Sequence, residues 1–516
     1  MALIAGACTD DAVDATAATS TTILRPSTVL RVGAEDWPRC LNPLTCADDV
    51  LREQVLQHVL PVTFEVDAGG DYVVSSLLAA PPEPAVTDAG VEIRYQIAPE
   101  ARWADARPVT SSDFLGTWRA IMDTPGADRA RYERIVTVDD SDPALAVVTL
   151  DGPMIDWQEL FGGATGFVLE ADAFGPSTDL TGQFEDELPM AAGPYVLSSW
   201  DGNGAVLSAT EPWDGADGAR IDQVRLDRVE IGGLGDPMAF DVLLPGDGVM
   251  STAPDGFDTR FTDSTTVLGI WFDQRQPTLA PLVHRQALEV VLDRSALAKR
   301  AGAADPPACV GWVPAVGPWC AVAGVEPVET NQQLGAFVLF EAGWTAGEDG
   351  ILAGPSGRFE VPVAFDATTP GAEAVASAVV ESFRAIGADA SSSPRSTDEW
   401  LSGRAPDDST GVGVFAADLG ISPRVADLYG CPDGVDSSVV GACPESVVTL
   451  ARRLGSLDGA EALNLVERLG DAVAAEVLWL PLAVIPDRSF VRPGRVTTLD
   501  TGAVAGGPLA GLDRFE

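Results

Sequence analysis

The chain has 516 residues, 46% hydrophobic and 21% charged, a composition that excludes a disordered chain. Its length exceeds what one compact core supports and predicts roughly two to four domains. With 77 acidic against 32 basic residues the net charge is −45, and a field of that sign repels nucleic acid and anionic lipid, which argues against a polyanion partner.

The first eight residues, MALIAGAC, are apolar up to Cys8, and residues 9–22 are a polar tract rich in Thr, Ala and Asp. A short apolar run ending in small residues before a cysteine has the form of a bacterial lipoprotein signal. It predicts acylation of Cys8, with 9–22 as a flexible tether to the membrane. No other stretch reaches eighteen uninterrupted apolar residues, so none reads as a membrane span. The other cysteines fall into the local pairs Cys40/Cys46, Cys309/Cys320 and Cys431/Cys443. Neighbours close small loops most readily, so three local disulfides are expected. Each would contribute about 2–3 kcal/mol by restricting the unfolded chain. The rival reading is a metal site, but no pair has CxxC spacing, and neither His58 nor His284 stands beside a cysteine.

Residues 27–32 read as a strand, Leu41-Asn42-Pro43 as a turn and 50–60 as a helix. Val91, Ile93, Tyr95 and Ile97 alternate with polar residues, the period of a half-buried strand. Pro99 stops it, Trp103-Ala104-Asp105 turns the chain, and Thr110-Ser-Ser-Asp113 has capping-box spacing. Phe114, Leu115, Trp118 and Ile121 then share a helix face. Residues 147–150 read as a strand, with Trp157, Leu160 and Phe161 as a helix face after it. Gly193-Pro194 places Tyr195 at the start of a strand ending in Trp200. Residues 265–273 are a buried strand, and 284–300 a single helix with Ala287, Leu288, Val291 and Leu292 inward. Further on, 359–365 and 411–415 read as strands, with a helical stripe of Val375, Val379, Phe383 and Ile386 between them. Helices at about 445–454 and 460–478 and a return through Leu478-Trp-Leu-Pro-Leu482 complete an α/β alternation.

Several pieces in one order resemble family 5 extracellular solute-binding proteins, the peptide-binding receptors of ABC importers. They are Leu41-Asn42-Pro43, the Trp103 to Phe114 segment, Gly193-Pro194-Tyr195 and Phe272-Asp273…Arg285-Gln286-Ala287-Leu288…Asp293-Arg294. Gly311-Trp312-Val313-Pro314 and Glu341-Ala342-Gly343-Trp344 continue the pattern. Asp273 stands where the family has Asn. The resemblance implies a type II periplasmic-binding-protein-like α/β fold, a two-lobed clamshell with an additional inserted lobe. Residues 23–60, 185–265 and 483–516 would form lobe I, 61–184 the inserted lobe II and 266–482 lobe III. It further implies a monomer with no enzymatic activity and no cofactor. Such a receptor closes about crossing strands near 264–270 and 480–485 and hands an oligopeptide or similar small solute to an ABC permease outside the cell membrane.

The same resemblance points to Asp418, which follows Phe415-Ala416-Ala417, as the partner of a ligand's α-amino group, with neighbouring main chain pairing along the peptide. Phe415 stands where relatives often carry Trp. Trp400 resembles a pocket-lining residue, Arg404 could meet a ligand carboxylate, Trp271 and Tyr195 are candidate aromatic walls near the lobe crossing, and Ala47-Asp48 match an edge that runs along the peptide. A partly buried carboxylate is costly alone and is relieved by a bound ammonium, so occupancy and closure would favour each other. A non-transport sensor or scaffold on the same fold stays open, as does a receptor for chelated metal. Hydrolysis is the weakest alternative: Gly-x-Ser-x-Gly is absent, a triad would need His58 or His284, and both read as structural.

Overall fold

The computed structural model describes residues 28–46, 50–67, 70–175, 177–210, 221–246, 252–262, 264–302, 329–397, 411–420, 438–454 and 459–495, with the single residues 312, 399, 429, 431 and 509. Three sheets organise them. The seven-stranded sheet runs, in spatial order, Asp258–Thr262, Asp487–Val491, Val242–Leu244, Val29–Ala34, Gln223–Arg228, Gly204–Ala209 and Tyr195–Trp200. Val29–Ala34 is parallel to both its neighbours, and the remaining pairs are antiparallel. An antiparallel four-stranded sheet, Ala85–Thr87, Gly90–Gln96, Leu145–Leu150 and Ile135–Asp142, comes from the segment between the first and second strands of that sheet. The five-stranded sheet follows: Asp389–Pro394, Glu360–Phe365, Val412–Asp418, Thr266–Phe272 and Trp479–Val484.

Burial explains why these stretches are strands. In Gly90–Gln96 the residues Val91, Ile93 and Tyr95 are buried while Arg94 and Gln96 are exposed, and Ala146, Val148 and Leu150 alternate in the same way. Helix Ser111–Asp123 lies over this sheet, with Phe114 stacked on Tyr95 at 5.4 Å and tilted against Phe161 at 5.1 Å. Thr110 opens the helix as a capping box. The Asp113 carboxylate accepts from Thr110 N at 2.8 Å, from Ala171 N at 3.0 Å and from Trp103 Nε1 at 3.3 Å. One apolar core joins the seven- and four-stranded sheets, from Leu30 and Val32 through Tyr95 and Val148 to Leu207 and Val491.

The five-stranded sheet is buried on both faces. Leu268, Ile270 and Phe272 enter a core under helix Ala372–Ala385, whereas Val267 and Trp271 enter another under helices Glu445–Leu454 and Gly459–Ala475. The chain passes between the seven- and five-stranded sheets at two adjacent places. Asp258–Thr262 leads through 263–265 into Thr266–Phe272, and Trp479–Val484 leads through 485–486 into Asp487–Val491. The strands on either side of these crossings pair with each other, so the crossings lie side by side.

Several sequence expectations are corrected. The expected helix at 284–300 is two helices, Leu282–Glu289 and Arg294–Arg300. Asp293 accepts from Ala296 N at 2.9 Å and caps the second, which ends the first a turn earlier. The helix face at Trp157, Leu160 and Phe161 is only a 3-10 turn, Trp157–Glu159. Phe161 has φ +58° and Gly163 φ +70°, so the backbone leaves the helical region there. The opening helix stops at Gln57. Cys40–Cys46 and Cys431–Cys443 are disulfide-bonded, with Cα separations of 6.0 and 6.1 Å; Cys8, Cys309 and Cys320 lie outside the described residues. Among the described residues no helix is long and apolar enough to cross a membrane.

Candidate ligand-binding site

The candidate site is built on two neighbouring strands of the five-stranded sheet. Thr266–Phe272 pairs antiparallel with Val412–Asp418, placing Leu268 opposite Ala416, Val267 opposite Ala417 and Thr266 opposite Asp418. The strand therefore ends at Asp418 beside the crossing. Phe415 is fully buried, Ala416 and Ala417 are half-buried, and Asp418 is exposed. Its Oδ1 accepts from the Thr265 hydroxyl and from Gly420 N, the latter at 2.9 Å. Among the described residues Oδ2 accepts no hydrogen bond. A carboxylate so arranged has one oxygen fixed by the protein and one left to accept from a ligand, which suits an ammonium group.

Behind this strand end lies an aromatic nest. Trp271 and Trp479 stand opposite each other in register and stack at 4.2 Å with an interplanar angle of 5°. Gly269 makes this possible, because a Cβ there would fall 2.4 Å from the Trp479 ring. Trp271 Nε1 donates to the Phe415 carbonyl at 3.2 Å, Trp479 Nε1 to the Tyr429 hydroxyl at 2.6 Å, and Trp312 Nε1 to the Trp479 carbonyl at 3.3 Å. Burial pushes the Tyr429 phenol up, beyond its ordinary range. Trp271 is only 3% exposed, so its ring holds the strand end from behind. Trp479, Tyr429 and Thr265 were not singled out as site residues from the sequence. Trp479 carried the signal of an aromatic in a returning apolar strand, whereas Thr265 carried none.

Tyr195 is placed elsewhere. It opens the strand at the edge of the seven-stranded sheet opposite Asp258–Thr262, six strand spacings from the crossing, on the order of 29 Å. This corrects its expected position near the crossing: the Gly-Pro turn starts an edge strand. Its ring is fully buried and meets His58 edge-on at 6.2 Å. Ala47, Asp48, Trp400 and Arg404 lie outside the described residues.

Both histidines are structural. His58 Nε2 lies 2.9 Å from the Leu509 carbonyl oxygen. His284 Nδ1 lies 2.8 Å from the Thr278 carbonyl oxygen, and Trp344 Nε1 donates to Nε2 at 3.0 Å, so the ring is neutral with its proton on Nδ1. Burial pushes its pKa down, against the pull of the Thr278 carbonyl. Among the described residues no group of three or more His, Cys, Asp or Glu side chains could hold a metal ion.

The sequence profile of the bacterial extracellular solute-binding proteins, family 5 (middle), matches residues 74–414. The chain belongs to this family. Its members are substrate receptors and not enzymes. The oligopeptide-binding protein OppA of Mycobacterium tuberculosis is 30% identical over 199 residues, which is 36% of this chain and 33% of that protein. The match thus spans about a third of the curated relative's length. Among solved structures, the periplasmic EDTA-binding protein EppA superposes with a TM-score of 0.80 at 15% identity, covering 95% of this chain and 97% of that one. The oligopeptide-binding protein AppA of Bacillus subtilis, in complex with a nonapeptide, gives 0.72 at 16% identity, with 95% and 99% covered. NikZ of Campylobacter jejuni, in complex with Ni(L-His), gives 0.75 at 14% identity, with 95% and 100% covered. At these identities the likeness establishes the fold: a multi-lobed α/β clamshell.

Proposed function

We propose that the protein is the extracytoplasmic receptor of an ABC importer, captures an oligopeptide between its lobes and delivers it to a permease. The observation that carries the reading is Asp418, an exposed carboxylate at the crossing between two sheets whose Oδ2 accepts no hydrogen bond among the described residues. An α-ammonium bound there would draw the lobes together, because the carboxylate's attraction strengthens as water leaves the cleft. Main-chain pairing along Ala416 and Ala417 would tolerate varied side chains, as when a peptide adds as a strand. The likeness of a third of the OppA sequence supports peptide over chelated metal, as does the engagement of both histidines in the fold. Lobes I, II and III are assigned as 23–60 with 185–265 and 483–516, 61–184, and 266–482. Acylation at Cys8 and the tether 9–22 would hold the receptor on the outer face of the cell membrane as a monomer.

The test is to purify the protein under native conditions, denature it and identify released small molecules by mass spectrometry. Mixed short peptides are the expected outcome. A chelate, or no gain in melting temperature with any peptide pool, would overturn the peptide reading. Asp418→Ala is expected to keep its own melting temperature and lose stabilisation by peptide.

A further inference from the structure

Three consecutive residues bind the candidate site to both crossings. Ser264, buried at 6% exposure, accepts from Thr266 N at 3.0 Å through its hydroxyl. Thr266 accepts through its carbonyl from Ile485 N at 2.9 Å, and Ile485 lies in the second crossing. Thr265, half-buried between them, uses both its polar groups on the strand end: its carbonyl accepts from Leu419 N at 3.1 Å, and its hydroxyl donates to Asp418 Oδ1. A relative rotation of the seven- and five-stranded sheets would turn the backbone at 264–265 and 485–486, described residues that lie between their strands. A Thr265 that turns with its linker carries its hydroxyl with it, while Asp418 stays with the five-stranded sheet.

We propose that Thr265 is a positioning residue through which occupancy of Asp418 and closure of the sheets bias each other. The inference rests on the reading above that Asp418 receives a ligand's ammonium. With the hydroxyl on Oδ1, the carboxylate is held in one rotamer and Oδ2 is left to accept from a ligand. The hydroxyl bond is made only over a limited range of linker torsions. A ligand that needs the presented rotamer therefore favours those torsions, and torsions that keep the bond favour the ligand, as linkage requires.

Thr265→Val preserves shape and removes the donor, Thr265→Ser keeps the donor, and Thr265→Ala repeats the first change where Val is poorly folded. Each is carried in protein spin-labelled through S112C and E381C, exposed positions on the helices over the four- and five-stranded sheets. Binding of a mixed tryptic peptide pool is followed by calorimetry and the distance between labels by electron spin resonance. Wild type and Thr265→Ser are expected to bind and to shorten the distance. Thr265→Val is expected to bind about tenfold more weakly, the cost of a lost hydrogen bond to a charged group, and to keep the ligand-free distance distribution when peptide is present. Equal affinity and equal shortening in Thr265→Val overturn the inference. Should wild type take up no peptide, the ligand reading fails separately, and Thr265 is judged on the ligand-free protein. A distance distribution broadened in Thr265→Val and restored in Thr265→Ser supports it, and identical distributions overturn it.

Discussion

Single carboxylates organise much of the five-stranded sheet's rim, and Asp366 shows how. It follows strand Glu360–Phe365 and is only 5% exposed. Oδ1 accepts from Thr368 N at 2.9 Å and Thr368 Oγ1 at 2.6 Å, and Oδ2 accepts from Thr397 N at 2.9 Å and Thr397 Oγ1 at 2.5 Å. Burial alone would raise its pKa, but the four donors outweigh it and hold the carboxyl below the usual range. A depressed folded pKa stabilises the fold above the unfolded value of about 3.9, and this contribution is lost as pH falls through the folded value. Asp366→Asn turns an amide donor toward donors and is expected to cost about 2–3 kcal/mol at neutral pH. The difference from wild type in urea midpoint should be flat from pH 7 to pH 5 and shrink below about pH 4; a difference that persists unchanged at pH 3 would rule out the charge as its source. At this scale the sequence was uneven. Asp418 could be read because an acid after an aromatic and two alanines matches a family pattern. Thr265 could not, because its partner Asp418 is distant in the chain, and Asp366 only in part: its turn with Thr368 is local, whereas the bonds from Thr397 are not.

Elements were legible where pattern and punctuation agreed. The capping box at Thr110 and Asp113 and the alternation through Tyr95 appear as read, because both are local and consistent with one another. The segment 284–300 was misread because its apolar spacing continues through Val291 and Leu292, and both are buried. The decisive residue is Asp293, an N-cap inside what looked like a helix interior. The two interpretations differ in sign. In a helix interior, Asp293→Ala would stabilise by a few tenths of a kcal/mol, since Ala has the higher propensity. At an N-cap the same change removes the bond to Ala296 N and should destabilise by about 1 kcal/mol. Chemical denaturation monitored by far-ultraviolet circular dichroism separates them, and a stabilised variant would restore the single helix. The same logic explains Trp157–Glu159: Leu160 and Phe161 are buried and Trp157 half-buried at helical spacing, yet Phe161 takes positive φ and ends the turn.

At the level of the molecule, three large cores and one contact frame the movement that the family fold allows. Among the described residues, the seven- and four-stranded sheets share a core, while both cores of the five-stranded sheet are drawn almost wholly from residues 267–485. The exception is Ile155. It belongs to the loop after strand Leu145–Leu150, in the four-stranded half, yet packs against the core of the five-stranded sheet that contains Trp271, Phe415, Tyr429 and Trp479. Sequence could not show this, because a lone Ile after Gly152-Pro153 reads as loop and its partners are more than a hundred residues away. Its loop is otherwise anchored on its own side: Arg131 Nε donates to Asp156 at 2.6 Å, and Arg131 Nη2 lies 2.7 Å from Glu159. Ile155 therefore bridges the two halves, and its contact is expected to act as a small latch. Half-burying an Ile stabilises by about 1 kcal/mol, enough to shift a two-state population roughly fivefold. Ile155→Asp is expected to raise the open fraction of the ligand-free protein by about that factor, seen as a larger radius of gyration in small-angle scattering. If the protein binds peptide as proposed, release should quicken by a similar factor, since a contact that favours the closed form also slows escape. Thermal unfolding of either half should change little, since Ile155 is only partly buried and lies in neither half's own core. An unchanged radius with a lowered melting temperature would instead make Ile155 an ordinary packing residue.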